Sequence, residues 1–211
     1  MKNVLARLGR KFARLATNVS VRNPRLWRLF RPLMRKQFDA IASNWDTMRS
    51  PMHLAPFEAA LAAIDPPPAR ALDLGTGTGE GAFAIARRFP QADVVGMDLA
   101  DRMLEEARRK TPPDLASRVR FERADASAMP YGDGSFELVA HANMIPFFDE
   151  LARVLAPGGW VLFAFSGGAE TPIYVADTRL RDELSRRGFS DFADFSAGTG
   201  TALLARKAPS S

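Results

Sequence analysis

The sequence contains no cysteine, which excludes disulfide scaffolds, thiolate metal sites and cysteine nucleophiles together. Its two histidines, His53 and His141, lie far apart along the chain. That is too few for a histidine-built metal centre, and no metal is expected. No apolar run approaches the roughly 18 residues that a membrane-spanning helix needs, so the chain reads as a soluble or membrane-peripheral protein, cytoplasmic in location. Acid is missing from one region altogether: residues 1–36 hold 11 Lys or Arg and no Asp or Glu, which leaves 18 basic against 24 acidic residues afterwards. The formal charge of +5 therefore hides a basic arm joined to an acidic body. Such an arm can meet nucleic acid, an anionic membrane or an acidic patch of its own protein. Its Arg-rich composition is also that of an organellar presequence.

What is present suffices for one sizeable core, since the 211 residues are 46% hydrophobic and otherwise ordinary for a globular chain. Near the N-terminus Leu5, Leu8, Phe12 and Leu15 share one helical face while Lys2, Arg7, Arg10, Lys11 and Arg14 spread over the rest, the pattern of a short basic amphipathic helix. Asn23 and Pro24 suit the start of a second helix, and Pro32 is expected to interrupt it and open another. Met34, Phe38, Ile41 and Trp45 then recur at spacings of three or four, which predicts a helix ending before Pro51. The expected division is a basic helical extension at 1–36, a helical cap and linker at 37–69, and a core at 70–211.

From Arg70 the pattern changes to strands alternating with helices, which favours parallel pairing. Strands are expected at 70–74, 93–97, 119–123, 136–141, 159–165, about 190–195 and 200–205, with helices near 79–88, 101–109, 146–155 and 176–187. The fold class is α/β: a Rossmann-like, doubly wound, seven-stranded sheet, mostly parallel, with one antiparallel strand at its edge. The short link "SAGTG" makes the last two strands a hairpin.

In such a sheet ligands bind beyond the carboxyl ends of the strands, where the strand order reverses. The stretch "ALDLGTGTGEGAF", residues 71–83, puts a glycine-rich loop there. Gly75, Gly77 and Gly79 permit positive φ and close approach of a ligand, and the following helix points free N–H groups into the space. No Lys-Ser or Lys-Thr follows, so a nucleoside triphosphate loop is excluded. Asp98 closes the second strand, where an acid can bind ribose hydroxyls of a nicotinamide dinucleotide or of any other adenosine; glycines and Asp98 do not separate the two.

Three further features do. Asp73 sits inside the first strand, where a buried acid needs partners such as loop N–H groups or a ligand amine. Asp125, after the third strand, is placed for the edge of an adenine. "ELARVLAPGGWVLFAF" gives a helix, a Pro-Gly-Gly turn and an apolar strand. Taken in order, D-x-G-x-G-x-G, the acid ending strand two, the Asp-Ala pair and R-V-L-x-P-G-G resemble the class I S-adenosylmethionine-dependent methyltransferases over roughly residues 37–206. The resemblance implies S-adenosylmethionine as cofactor. It implies that Asp73 and the loop Gly75–Thr76–Gly77–Gly79 hold the methionyl part, Asp98 the ribose, Leu99 and Met103 the adenine faces, and Asp125 with Ala126 the adenine edge.

Methyl transfer from a sulfonium needs chiefly in-line positioning. His141, ending the fourth strand, is the candidate base for a hydroxyl acceptor, and Asn143 could orient that acceptor. "FDAIASNWDTMRS" resembles the segment preceding the core in small-molecule and quinone-type methyltransferases, which makes Phe38, Trp45 and Arg49 candidates for a lid. The expected partner is a small apolar or aromatic molecule. Neither an N-P-P-Y or D-P-P-Y sequence nor a compact RNA-binding module supports the alternatives, a nucleic-acid-associated methyltransferase or a non-catalytic binding protein using the basic arm. Peripheral membrane contact through residues 1–36 stands beside a role for the arm as a cover over the site.

Overall fold

The computed structural model describes residues 2–209, with side chains from Gly9 onward; Leu5 and Leu8 of the basic stripe lie outside the described side chains. A helical hairpin comes first. Helix α1 (Lys2–Arg22) leads through a 3-10 turn at Pro24–Leu26 into α2 (Trp27–Ile41). Pro32 does not interrupt α2, contrary to the sequence expectation. A proline inside a helix costs about 3 kcal/mol in isolation, but residues on both sides are anchored on the body. Trp27 Nε1 and Arg31 each donate to Asp125 at 2.9 Å, and Met34 is buried.

The helix expected to reach Pro51 stops at Ile41 instead and gives way to 3-10 turns at Ala42–Asn44 and Asp46–Met48. Asp46 accounts for the change of direction. Its carboxylate accepts a hydrogen bond from Thr78 at 2.7 Å and pairs with Lys110, ties that a continuing helix would carry away from the core. Helix α3 (Ala55–Ala62) follows.

The body alternates as the sequence predicts: β1 (Arg70–Leu74), α4 (Glu80–Arg88), β2 (Asp93–Asp98), α5 (Asp101–Lys110), β3 (Val119–Arg123), β4 (Phe136–Ala142), α6 (Phe148–Val154), β5 (Leu155–Phe165), α7 (Asp177–Ser185), β6 (Phe189–Ala197) and β7 (Gly200–Lys207). The seven strands form one sheet in the order β3-β2-β1-β4-β5-β7-β6. All pairings are parallel except those of β7, which runs antiparallel to β5 and β6. The expected hairpin thus forms the edge, with β6 outermost and the antiparallel strand one place in. The Pro157-Gly158-Gly159 turn is absorbed into β5: Leu155 pairs with Phe136, and pairing resumes three residues out of step at Leu138 and Trp160.

Side chains alternate across the sheet and fill two apolar layers. Leu72, Val95, Val139 and Phe163 face α6 and α7; Ala71, Val94, Leu138 and Leu162 face the opposite layer with Phe57, Phe83 and Leu104 of α3, α4 and α5. The strand order reverses between the parallel neighbours β1 and β4, and the loops after them diverge there. That crevice is where the topology permits a ligand to reach backbone.

Helix α3 belongs to this packing, because Phe57 is fully buried and the helix lies against β5, β6, β7 and α4. Phe57→Ala should therefore destabilise the protein by about 3–5 kcal/mol, the usual cost of emptying a buried aromatic site. Urea denaturation measures this; a loss below about 1 kcal/mol would mean that α3 is peripheral.

Candidate active site

The loop after β1 is shaped by its glycines. Gly75, Gly77 and Gly79 have φ of +70°, +55° and +92°, a region that strains any other residue except, mildly, Asn or Asp. The amides of Gly75 and Thr76 both donate to the Met97 carbonyl, at 2.8 and 3.0 Å, which folds the loop across the end of β2. A methyl group on Gly77 would stand 3.4 Å from Trp45 Nε1, so the bare backbone there leaves space beneath the indole.

Asp73 is the deepest polar group of the site, only 2% exposed. It accepts a 2.6 Å bond from Thr76 Oγ1 and one from the Ala82 amide, yet burial still pushes its pKa up to about 6, with the Asp98 charge adding to the rise and Arg49 opposing it. A Cβ on Gly81 would fall 2.7 Å from its carboxylate. That glycine of the first helical turn is therefore required for the acid to sit where it does. Asp98 accepts from the Gly77 amide and the Ala100 amide, both at 2.9 Å, and burial likewise raises its pKa against those bonds. Each of its oxygens accepts one of these two bonds, so each keeps lone-pair capacity for a further donor.

Asp125 is differently placed from its expected role. Its Oδ1 already accepts from Trp27 Nε1 and from the Ser127 amide and hydroxyl, and Oδ2 from Arg31. Burial raises its pKa, but these donors together hold it below the ordinary carboxylate range. The carboxylate thus anchors α2 first, and what remains for a ligand is acceptor capacity on Oδ2.

The segment after α2 closes the other side. Phe38 and Trp45 meet edge to face at 5.6 Å and pack on Ala100 and Met103 of α5. Arg49 lies over the Trp45 ring at 5.4 Å and bonds Glu80 at 3.2 Å. His53 Nε2 stands 2.8 Å from the same Glu80 carboxylate. Burial lowers the Arg49 pKa while Glu80, Asp46 and Asp73 work to raise it. Trp45 Nε1 is buried and has no hydrogen-bond partner among the described residues.

These elements enclose a cavity of about 130 Å3. Asp73, Asp98, Gly75, Thr76, Gly77, Leu99, Met103, Asp125, Ala126, Phe38, Trp45, Arg49 and Asn143, all expected from the sequence, line it. Gly79 does not; it begins α4 and packs against Phe121 and Phe83. Trp27, Met34, Met144, Ile145 and Ile173 complete the wall with mostly apolar surface.

A family described as a methyltransferase domain matches residues 71–159. Demethylmenaquinone methyltransferase of Thermus thermophilus is 46% identical over 104 residues, which are 46% of this chain and 47% of that protein. Malonyl-[acyl-carrier protein] O-methyltransferase of Halorhodospira halophila is 37% identical over 147 residues, 65% and 49% of the two chains. The chain spans about half the length of these curated relatives. A solved S-adenosylmethionine-dependent methyltransferase from Aquifex aeolicus shares the fold at a TM-score of 0.63 and 16% identity, covering 78% of this chain and 97% of that one.

Residues 71–159 thus resemble a methyltransferase domain in sequence, and the sheet as a whole has the fold of a solved S-adenosylmethionine-dependent methyltransferase. The cavity fits S-adenosylmethionine on its own chemistry. A buried acid with raised pKa suits an ammonium, a second acid with free lone pairs suits a diol, and an orphaned indole N–H calls for an acceptor.

His141 is the clear correction. It is fully buried, packs edge to face on Phe163 at 4.5 Å, and does not line the cavity. Neither ring nitrogen has a partner among the described residues, and burial lowers its pKa to about 3. Strand alternation turns it into the layer beneath α6, and the rim begins two residues later. There Asn143 adopts φ +57° and its Oδ1 accepts from the Ser166 amide at 2.9 Å.

Sequence reasoning also missed Trp27, which completes the stripe of Met34 and Phe38 once α2 is continuous through Pro32. The signal was the i, i+7, i+11 spacing, hidden by reading the proline as a break.

Two predictions follow from the buried titratable groups. Asp73 has a folded pKa raised above its unfolded value, so its contribution to stability is present below about pH 4 and is lost as pH rises through about 6. Without cofactor, Asp73→Asn should match the parent near pH 4 and exceed it by roughly 1–3 kcal/mol at pH 7.5. Denaturation midpoints across that range test this; a variant less stable at pH 7.5 would contradict the assignment. His141→Leu should leave cofactor affinity and the pH profile of turnover unchanged, and a lost limb near pH 6.5 in the variant would restore His141 as a base.

Proposed function

We propose that this protein transfers a methyl group from S-adenosylmethionine to a small apolar or aromatic acceptor. The observation that supports this most directly is the joining of two chemistries in one cavity. Asp73, Asp98 and the glycine loop form a polar end, while Trp27, Met34, Met144, Ile145 and Ile173 form an apolar wall. The named relatives act on a quinone precursor and on a malonyl group carried by a protein, both compatible with such a wall.

The cofactor would supply an activated methyl group. Asp73 would hold its ammonium, Trp45 Nε1 with Arg49 its carboxylate, and Asp98 its ribose hydroxyls. Phe38, Leu99 and Met103 would flank the adenine. Arg49 and Arg35 bring positive charge to a cavity also lined by three acids, and the stacking of Arg49 on Trp45 and its bond to Glu80 fix its direction. Asn143, locked by Ser166, would present one edge to the acceptor.

With His141 sealed in the core, no histidine, lysine or tyrosine among the described residues lines the cavity. Of its three acids, Asp73 and Asp98 would serve the cofactor and Asp125 anchors α2. The chain's contribution to the reaction is then positioning and exclusion of water, and the acceptor must arrive ionised or intrinsically nucleophilic.

Calorimetry with S-adenosylmethionine, its demethylated product, NAD and NADP tests the reading. The first two should bind and the dinucleotides should not; the reverse would replace it with a nicotinamide enzyme. Asp98→Ala should lower S-adenosylmethionine affinity at least roughly 100-fold, since two charge-assisted hydrogen bonds of about 1.5–3 kcal/mol each are lost.

A further inference from the structure

We propose that the outer face of α2, centred on Leu29 and Leu33, docks on an anionic lipid bilayer. The helix turns about 100° per residue, so Trp27, Met34 and Phe38 point to the cavity and Leu29, Leu33 and Lys36 point the opposite way. Leu29 is 67% exposed and Leu33 53%, next to Leu15 of α1 at 55%. Helix α1 lies along one flank of this strip, with Phe12 against Phe30 at 5.8 Å, and Arg28 and Arg35 line the other flank.

The charge around the leucines is unspent. Among the described residues, Arg31 is the only cation of the segment 9–36 with a carboxylate partner. Arg10 and Arg14 bond the carbonyls of Glu170 and Ala169, which holds α1 against the rim of the body. Lys11, Arg22, Arg25, Arg28, Arg35 and Lys36 meet no carboxylate and are exposed. Arg35 lines the cavity and Lys36 borders a groove with Asp39, Glu105 and Glu106, but the body's excess of acid draws none of the six into an ion pair, and Lys11, Arg22, Arg25 and Arg28 stand clear of both, so the anionic surface they complement lies outside the molecule.

The leucines decide which surface. Apolar side chains between cations contribute nothing to a phosphate backbone in water, whereas at a bilayer they enter the headgroup layer while the cations face the lipid phosphates. Docking in this way would lay the cavity's own wall along the membrane. It does not depend on the methyl-transfer reading.

Co-sedimentation of the full-length protein with vesicles of phosphatidylcholine alone, or with a quarter phosphatidylglycerol, tests this. Binding is expected only to the anionic vesicles and should fall as salt screens the exposed charges. Leu29→Glu with Leu33→Glu, and separately Arg28→Glu with Lys36→Glu, should each lower partitioning roughly tenfold or more while calorimetric binding of S-adenosylmethionine persists. The proposal fails if anionic vesicles are not bound, if both double variants sediment like the parent, or if duplex RNA binds more tightly than lipid at the same salt.

Should the double variants not fold, the lack of cysteine offers a second measurement. Leu33→Cys carrying an environment-sensitive fluorophore should shift to the blue with anionic vesicles, and the same label at Arg87→Cys on α4 should not. Equal behaviour of the two labels would also overturn the proposal.

Discussion

A carboxylate sealed at the end of β1 is the constraint on which the site depends. Asp73 is almost fully buried, and a buried charge is costly unless bonded or neutralised. Much of the surrounding sequence answers that demand. Thr76 donates to it, the Ala82 amide approaches it, and Gly81 lacks the Cβ that would collide with its oxygens. The loop that satisfies the acid is the same loop that leaves bare backbone for a ligand. With a pKa near 6 the group remains only partly compensated. Apo protein thus stores an unfavourable charge at neutral pH that a bound cation would relieve, a local conflict of the kind expected where function rather than stability sets the residue.

The compensating cation comes from outside the core. Arg49 follows a segment with two 3-10 turns that no sheet topology dictates, and Asp46 pins that segment to Thr78 and Lys110. A second tie joins α2 to Asp125 through Trp27 and Arg31. The N-terminal part of the chain is thereby fastened at both ends of the cavity, by the acid after β3 on one side and by the start of α4 and end of α5 on the other. Between these ties it supplies Met34, Phe38 and Trp45. The core alone would present the glycine loop and acids on an open rim; the added segment turns that rim into an enclosed, largely apolar chamber.

What the sequence made legible was local or periodic. The seven strands and the helices between them follow from alternation and amphipathic spacing, and the site loop from glycines beside an acid, because backbone conformation there is decided within a few residues. The errors share a different cause. Pro32 reads as a break by every local rule, but anchors on Asp125 and the core keep α2 straight, and those partners lie about a hundred residues away. The missing continuation to Pro51 likewise depends on Asp46 finding Thr78 and Lys110. His141 was placed at the rim because it is close to a strand's end; whether a strand-end residue faces solvent or core depends on where the next layer stops, and here α6 covers it. Asp125 lines the cavity, while its use by the chain's own helix was invisible without the fold.

The two faces of α2 make a mechanical unit of the cofactor chamber and the surface beyond it. Its inner side chains wall the cavity, and its outer ones carry exposed leucines and cations without carboxylate partners. Its attachment to the core near the cavity runs through Asp125, a partly buried carboxylate shared among several donors. Such a contact is polar and directional, so a small rotation of the helix weakens several bonds together, whereas an apolar contact would yield gradually. Any ligand group that takes the remaining acceptor capacity of Asp125 shares Oδ2 with Arg31. Where such a ligand weakens the Arg31 bond, occupancy of that end of the chamber and the seating of α2 are linked, and reciprocity then requires that whatever fixes α2 from outside alters affinity inside.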